Sequence, residues 1–317
     1  MQFLSRREFP RQNTKAAIMK KLVISVCGGG ALGVGPLKFM SLLEKDLGAN
    51  LADVSEAFAG TSTGSIIASG LCSGMTAQEL FDLYKGNLKT IFKEKTGALP
   101  PIARSNYYRY DNSGLKKLLY KYFPGKMDEF DKPIYIPTTF MNGESVEKVW
   151  DRSDDWMDRA YAILSSCSAP TYFDTLTLDG KIYCDGGMWA NDPIMVLESG
   201  LKKLCANKKK YRDLFCDGVK ILTFNTGMIT PNKGPAKKNA LGWLEYIMDD
   251  WIARTGNSNY FEACANIGED NVYRVAPKVG KKYPMDDLSL VDEVAGIWEN
   301  EYKKVKKEVL KFVKSTM

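Results

Sequence analysis

The chain has 317 residues, of which 44% are apolar, and its 44 Lys and Arg exceed its 38 Asp and Glu to give a net charge of +6. This apolar content excludes a mainly disordered chain, and no apolar run reaches the roughly 18 residues that cross a bilayer. The sequence contains no histidine, which excludes hydrolases of the Ser-His-Asp and Cys-His types and metal sites with histidine ligands.

The seven cysteines are an odd number and include no C-x-x-C pair. This pattern argues against a zinc site or a disulfide framework, and it predicts a reducing compartment, the cytoplasm. The small positive charge fits an anionic membrane surface or nucleic acid, and it fits an ordinary basic enzyme equally well.

Apolar runs and stripes predict alternating strands and helices after a flexible arm over residues 1–18. In chain order the predicted elements are strand Leu22–Cys27, helix Pro36–Leu47, strand Val54–Ala59, a short helix around Ile66 and Ile67, a helix after the capping box at Thr76, a helix after Ser113, strand Pro133–Phe140, helix Met157–Leu164, strand Ile182–Cys184, helix Pro193–Leu204, strand Val219–Phe224, strand Asn271–Val275 and a long amphipathic helix from Val291 to Phe312. The alternation predicts an α/β fold whose mostly parallel central sheet is covered by helices on both faces. We expect residues 19–317 to form one domain with a helical C-terminal portion.

A G-x-S-x-G motif, Gly60-Thr61-Ser62-Thr63-Gly64, lies between a predicted strand and a predicted helix. In that context the glycines permit a turn too tight for side chains, and the turn exposes the serine hydroxyl beside the positive end of the helix. This context indicates a nucleophilic serine supported by the two glycines. The alternative is an ordinary loop rich in glycine, serine and threonine.

A second glycine cluster, Gly28–Gly33, follows the first predicted strand and reads GGGALG. Consecutive glycines present bare N–H groups that can converge on the negative charge of an acyl-transfer intermediate, as an oxyanion hole requires. The spacing also matches the dinucleotide fingerprint G-x-G-x-x-G, and Asp53 lies where a ribose-binding acid is expected. A nucleotide site gives no task to Ser62, however.

The third motif is Asp185-Gly186-Gly187, directly after a predicted strand. A carboxylate at a strand end faces a cleft, where it can accept a serine proton directly. The ordinary pKa of aspartate is about 3.9, so desolvation would have to raise it for this role. The alternative is a plain Asp-Gly turn.

Together these motifs resemble those of the patatin-like phospholipases. That family has a glycine-rich oxyanion loop near its N-terminus, then a G-x-S-x-G motif, and much later an Asp-Gly-Gly or Asp-Gly-Ala motif. Because it uses a Ser-Asp dyad, a chain without histidine can belong to it. Ser168–Pro170 and Asn191–Pro193 are similar to further elements of the family, and the resemblance covers residues 21–205.

The resemblance implies that Ser62 is the nucleophile and Asp185 its base. The N–H groups of Gly28, Gly29 and Gly30 would hold the oxyanion, and Gly60, Gly64, Gly186 and Gly187 would support the two motifs. The implied reaction is hydrolysis of carboxylic esters of phospholipids or related lipids at a peripheral membrane surface. It requires no metal or cofactor, and no nucleic-acid partner is expected. Some bacterial members serve nucleotide-signalled defence, so a small-molecule activator is a further option.

Two other functions stay open. One is a nucleotide-binding protein that uses the glycine loop. The other is a regulated lipid-binding effector with weak activity, which is favoured by Leu32 because the family usually has arginine at that position. Residues after about 205 carry no motif, and they either complete the fold, cover the site or bind a regulator.

Overall fold

The structure, a computed structural model, describes residues 19–95, 108–226, 234–235, 237–239, 242–243, 246–247, 252–279, 281 and 283–317. The predicted flexible arm over residues 1–18 and a predicted Gly/Pro break over residues 97–101 lie outside the described residues. Within them, no helix is long and apolar enough to cross a membrane.

Eight strands in the described part of the chain form one mixed sheet. They are β1 Lys21–Val26, β2 Ser55–Gly60, β3 Ile134–Phe140, β4 Glu147–Trp150, β5 Leu176–Leu178, β6 Lys181–Asp185, β7 Val219–Phe224 and β8 Val272–Val275. The spatial order is β5-β6-β3-β2-β1-β7-β8, with β4 also paired to β3. Strands β3, β2, β1, β7 and β8 run parallel, whereas β4, β5 and β6 join by antiparallel pairing. The predicted mostly parallel sheet is therefore confirmed.

Helices cover both faces of this sheet. They are α1 Val34–Leu47, α2 Leu51–Val54, α3 Thr63–Cys72, α4 Ala77–Ile91, α5 Ser113–Tyr122, α6 Arg159–Ser166, α7 Gly187–Ala190, α8 Ile194–Asn207, α9 Lys209–Leu214, α10 Ile252–Ile267 and α11 Val291–Lys314. Strand β1 sends Leu22, Ile24 and Val26 into the core beneath α1, α3 and α11, and Val23 into the core beneath α8 and α10. Burial on both faces explains why this strand reads as a continuous apolar run.

The C-terminal portion completes the fold. Strand β7 pairs with β1 along its whole length, and α11 packs on α1 through the fully buried Trp298. The Tyr302 hydroxyl donates to the Asp46 carboxylate at 2.6 Å. Of the three options left open by the sequence, completion of the fold is the one that these elements fulfil.

The topology brings the three motifs to one edge of the sheet. The glycine loop follows β1, and Ser62 follows the neighbouring parallel strand β2. Asp185 ends β6, where it pairs with Thr138 near the carboxyl end of β3. Carboxyl ends of parallel strands are the usual position of a site in such sheets.

Candidate active site

Ser62 occupies the sharp turn between β2 and α3. Its φ of 54° and ψ of −128° lie outside the usual regions for a residue with a side chain. The Ser62 N–H donates to the Ser166 hydroxyl at 2.9 Å, and its carbonyl accepts from the Ser65 N–H at 2.8 Å. Such strain persists only where the surroundings over-determine it, and it is typical of a nucleophile elbow.

Gly60 and Gly64 make this turn sterically possible. A Cβ at Gly60 would collide with the Gly64 carbonyl, and a Cβ at Gly64 would collide with the Val26 carbonyl of β1. The absence of both side chains lets α3 begin directly against the two strands. Ser62 consequently lies at the carboxyl edge of the sheet, directly after β2.

Asp185, the last residue of β6, lies beside Ser62 at the same edge of the sheet. Its side chain is buried, and its N–H donates to the Ser168 carbonyl at 3.0 Å. The carboxylate accepts a hydrogen bond from the Ser62 hydroxyl and another from the Gly187 N–H at 2.7 Å. Two predicted residues from distant parts of the sequence are therefore in contact, and Ser168 belongs to the Ser-Ala-Pro element noted in the sequence.

Burial sets the proton affinity of the Asp185 carboxyl. Removal from water raises its pKa from 3.8 to about 6, and the hydrogen bonds from Ser62 and Gly187 offset only part of this rise. A carboxylate with this pKa is still ionised at neutral pH, yet it is a stronger base than an exposed aspartate. This is the desolvation that a mechanism without histidine requires.

The two glycines after Asp185 serve different steric needs. A Cβ at Gly186 would collide with the Pro137 carbonyl of β3, whereas a Cβ at Gly187 would lie 3.0 Å from the Asp185 carboxylate. Gly186 thus permits close passage of the chain, and Gly187 leaves room around the Asp185 carboxylate.

The glycine loop passes beside Ser62, but its N–H groups are not equivalent. Gly28 donates its N–H to the Asn191 carbonyl at 3.1 Å, in contrast to the prediction that this N–H would face an oxyanion. For Gly29 and Gly30, no group in the described ranges accepts the N–H. The structure therefore leaves Gly29 and Gly30 as the candidate donors.

The peptide between Gly30 and Ala31 is held from two sides. The Gly30 carbonyl faces the hydroxyls of Thr63 and Tyr84, each at 2.9 Å, and these hydroxyls lie 2.5 Å apart. On the other side, the Ala31 N–H donates to the Met285 carbonyl at 2.7 Å. The loop that bears the candidate donors is therefore fixed before any substrate binds, as electrostatic preorganisation requires.

Several of these supporting residues were missed from sequence alone. Tyr84 lies in the helix predicted after the capping box at Thr76, where nothing marks its hydroxyl as a partner of the glycine loop. Ser166 lies just beyond the predicted helix Met157–Leu164, and the nearby Ser-Ala-Pro element is the one available signal for it. Leu32, at the position where the family usually has arginine, is buried in the core. Hydroxyl groups, not a guanidinium, are what contact the loop carbonyl here.

An apolar cavity opens beside Ser62. Its empty volume is about 410 Å³, a figure that includes the part open to solvent. Its wall includes the apolar side chains of Ile66, Ile91, Phe92, Leu115, Phe173 and Met285. The described lining contains no charged side chain, so Ser62 borders a surface suited to hydrocarbon.

Asp53 does not lie where a dinucleotide site would need its ribose-binding acid. Asp53 precedes the first residue of β2, Ser55, whereas the glycine loop follows the last residue of the parallel strand β1. The two lie at opposite edges of the sheet, and a ribose bound at the loop would not reach Asp53. The glycine spacing alone is a weak signal for a dinucleotide.

Comparison with known proteins agrees with this geometry. A family model described as patatin-like phospholipase matches residues 24–198, more than half of the chain. The chain belongs to the patatin-like phospholipase family. All three motifs of this patatin-like chain lie inside the matched residues.

The relatives include two bacterial enzymes and a plant protein. A cGAMP-activated phospholipase of Vibrio cholerae is 28% identical over 239 residues, covering 64% of this chain and 63% of the relative. One from Pseudomonas aeruginosa is 26% identical over 178 residues and covers 54% of each. Patatin-like protein 2 of Oryza sativa subsp. indica is 28% identical over 214 residues, covering 57% of this chain and 53% of the relative. The chain thus spans between about half and just under two thirds of these relatives.

Among solved structures, the patatin-like chain is similar to ExoU in complex with SpcU from the type III secretion system of Pseudomonas aeruginosa. The TM-score is 0.43 at 15% identity, covering 93% of this chain and 53% of that chain.

Proposed function

We propose that this patatin-like protein is a serine lipid acyl hydrolase that cleaves carboxylic esters of phospholipids or related lipids. The observation that carries the proposal is the contact between the half-buried hydroxyl of Ser62, whose backbone is strained, and the buried carboxylate of Asp185, whose pKa is raised to about 6. An activated serine beside a base is the minimal arrangement for covalent acyl transfer. Family membership supports the same reaction class.

In the proposed mechanism, the Asp185 carboxylate accepts the Ser62 proton as the serine oxygen attacks the ester carbonyl. The N–H groups of Gly29 and Gly30 stabilise the resulting oxyanion. Asp185 then returns the proton to the departing alcohol or lysolipid, which leaves an acyl-serine. Water, deprotonated by Asp185, attacks this ester, and Asp185 then returns that proton to the Ser62 oxygen as the fatty acid leaves. Because the chain has no histidine, the carboxylate performs every proton transfer.

The cavity supports a lipid acyl group as the part of the substrate that is recognised. Its apolar side chains begin at Ser62 itself, so a hydrocarbon chain in the cavity would bring its ester carbonyl to the nucleophile. Burial of such a chain stabilises binding by about 0.8 kcal/mol per CH₂ group. We therefore propose a peripheral membrane surface as the place of action, reached from the cytoplasm. All seven cysteines are free of disulfides, which agrees with that compartment.

The test is fatty-acid release from phospholipid vesicles by the wild type and by two variants, Ser62→Ala and Asp185→Asn. We expect each substitution to lower kcat by about a thousandfold or more, because members of a catalytic unit fail together. Ser73→Ala and Asp179→Asn are matched controls, since both residues are exposed. Retained hydrolysis in either dyad variant would exclude the mechanism. Fluorophosphonate labelling of the wild type and its loss in Ser62→Ala provide an independent readout.

A small-molecule activator is a second part of the proposal. Its support is that two of the relatives are named cGAMP-activated phospholipases. The vesicle assay is therefore run with and without cGAMP. Stimulation of the wild type, but not of Ser62→Ala, supports regulated hydrolysis. Equal rates with and without cGAMP argue against this activator.

Thermal stabilisation of the protein by NAD, without serine labelling, would instead favour the nucleotide-binding alternative.

A further inference from the structure

A segment outside the family-matched residues, Tyr283–Asp286, crosses the glycine loop. The Met285 carbonyl accepts the Ala31 N–H at 2.7 Å, and a Cβ at Gly30 would collide with this same carbonyl. The Met285 side chain lines the cavity beside Ser62. One residue therefore contacts the loop through its backbone and the cavity through its side chain.

The next residue anchors this segment to a distant part of the chain. Asp286 has a side chain that is 8% exposed, and its carboxylate lies 2.5 Å from the Arg109 guanidinium. The same carboxylate accepts the Tyr110 hydroxyl at 2.9 Å. The Arg109 guanidinium also stacks over the Tyr110 ring at 5.3 Å. A buried carboxylate held by a charged group and a hydroxyl is a directional attachment, since loss of Arg109 leaves its charge uncompensated and loss of Tyr110 removes a hydrogen bond.

Tyr110 in turn packs against residues that line the cavity. Its ring packs edge-on against Phe92 at 5.3 Å and lies 5.6 Å from Phe173, while its N–H donates to the Tyr172 carbonyl at 2.8 Å. These three partners all line the cavity. Asp286 thus joins the segment over the glycine loop to the aromatic side of the cavity.

We propose that Asp286 is a positioning residue for the hydrolysis proposed above, on which this inference rests. It touches neither substrate nor reacting atoms. By holding Arg109 and Tyr110, it keeps the Met285 carbonyl on the glycine loop and the Met285 side chain in the cavity wall. Through the first contact it aligns the oxyanion donors, and through the second it sets the fit of the acyl chain.

The test compares Asp286→Asn and Asp286→Ala with Asp287→Asn in the full chain. Asp287 is the matched control, because it is the adjacent carboxylate and instead accepts the Ser289 N–H at 3.0 Å. We expect Asp286→Ala to lower kcat about tenfold or more, since small displacements of catalytic groups are costly. We also expect the KM of Asp286→Ala to rise, relative to the wild type, more for long-chain than for short-chain esters. Asp287→Asn should stay within about twofold of the wild type.

Hydrogen exchange supplies a readout that does not depend on activity. We expect the Ala31 amide to exchange faster in both Asp286 variants and at the wild-type rate in Asp287→Asn. Arg109→Gln, which removes only one partner, serves if the Asp286 variants do not fold. Equal kcat, equal chain-length preference and equal Ala31 exchange in Asp286→Asn, Asp286→Ala and Asp287→Asn would overturn the proposal. If the wild type neither hydrolyses esters nor takes the fluorophosphonate label, the proposed hydrolytic function is overturned. The role of Asp286 in positioning groups for that reaction then fails with it. The exchange rates still decide whether Asp286 holds the glycine loop.

Discussion

At the scale of single residues, the proposed reaction depends on one carboxyl group that has lost its contact with water. Ser62 cannot be activated by histidine, and the hydrogen bonds from Ser62 and Gly187 act to lower the Asp185 pKa. Desolvation outweighs them, and the balance leaves a base that is ionised at physiological pH. The same burial excludes water from the proton transfer, which strengthens each electrostatic contact there.

The pH dependence of the reaction follows from this pKa. Only ionised Asp185 accepts the serine proton, so we expect kcat/KM to be low in acid, to rise through about pH 6 and to level off above it. The measurement uses a soluble short-chain ester, which avoids changes in vesicle charge. Asp179→Asn should give the same profile. A midpoint near the ordinary aspartate pKa of about 3.9 would contradict the assignment.

Sequence alone points to Ser62 and Asp185, the proposed dyad, because each lies in a motif with a steric requirement. Gly60, Gly64 and Gly186 show that requirement directly, since a side chain at any of them would collide with backbone. The partner of the Gly28 N–H was not predictable in this way. Its acceptor, the Asn191 carbonyl, is brought to the loop by tertiary folding and leaves no mark in the local sequence.

At the scale of elements, burial explains which strands the sequence revealed. Strands β1, β2, β3 and β7 are covered on both faces and read as apolar runs, with boundaries correct to one or two residues. Strands β4 and β5 have 4 and 3 residues and are partly exposed, so their patterns are too short to recognise. The parallel direction of the central strands could be predicted from their alternation with helices. The antiparallel pairing of β4, β5 and β6 could not.

A buried ion pair lies where α8, β8 and α10 come together behind the glycine loop. Asp192, just before α8, is 1% exposed and lies 3.8 Å from the Arg274 guanidinium of β8, whose side chain is 9% exposed. The Asp192 carboxylate also accepts the Ile194 N–H at 3.1 Å, and its carbonyl accepts from Asn259 of α10 at 2.9 Å. Burial raises the pKa of Asp192, and Arg274 counteracts this rise.

Removal of Arg274 should therefore cost stability in a pH-dependent way. We expect Arg274→Met to lower the free energy of unfolding by about 3–5 kcal/mol at pH 7, because it leaves a buried carboxylate uncompensated. A carboxyl whose pKa is higher in the folded than in the unfolded state favours folding when protonated, so the loss should shrink as the pH falls. Urea unfolding at two pH values measures this difference.

The surface pair of Lys85 and Asp292 provides the control for that experiment. Its side chains are 41% and 83% exposed, so Lys85→Met should cost less than about 1 kcal/mol. The double variant Asp192→Asn with Arg274→Met should recover part of the loss, because no buried charge is left unpaired. A loss in Arg274→Met equal to that in Lys85→Met, unchanged by pH, would show that the buried pair carries little energy.

At the scale of the whole molecule, the catalytic motifs and the elements that complete the core lie in different parts of the chain. The family match ends at residue 198, before β7, β8 and α11. Without β7, one edge of the central strand β1 loses its partner along six residues. Without α11, the aromatic ring of Phe39 loses its edge-on contacts with Trp298 at 6.3 Å and Tyr302 at 5.0 Å.

A chain of residues 1–205 should consequently fail to fold cooperatively, although it contains Ser62, Asp185 and the glycine loop. Exposure of both the β1 edge and the α1 face removes apolar burial of the size that separates folded from unfolded domains. We expect weak near-UV circular dichroism, binding of a hydrophobic dye and no sharp thermal transition. Lys307→Ala, an exposed substitution on α11 in the full chain, should retain the wild-type transition. A sharp transition and fluorophosphonate labelling in the 1–205 chain would show instead that the family-matched residues fold alone, and α11 would then be an addition to the core and not a part of it.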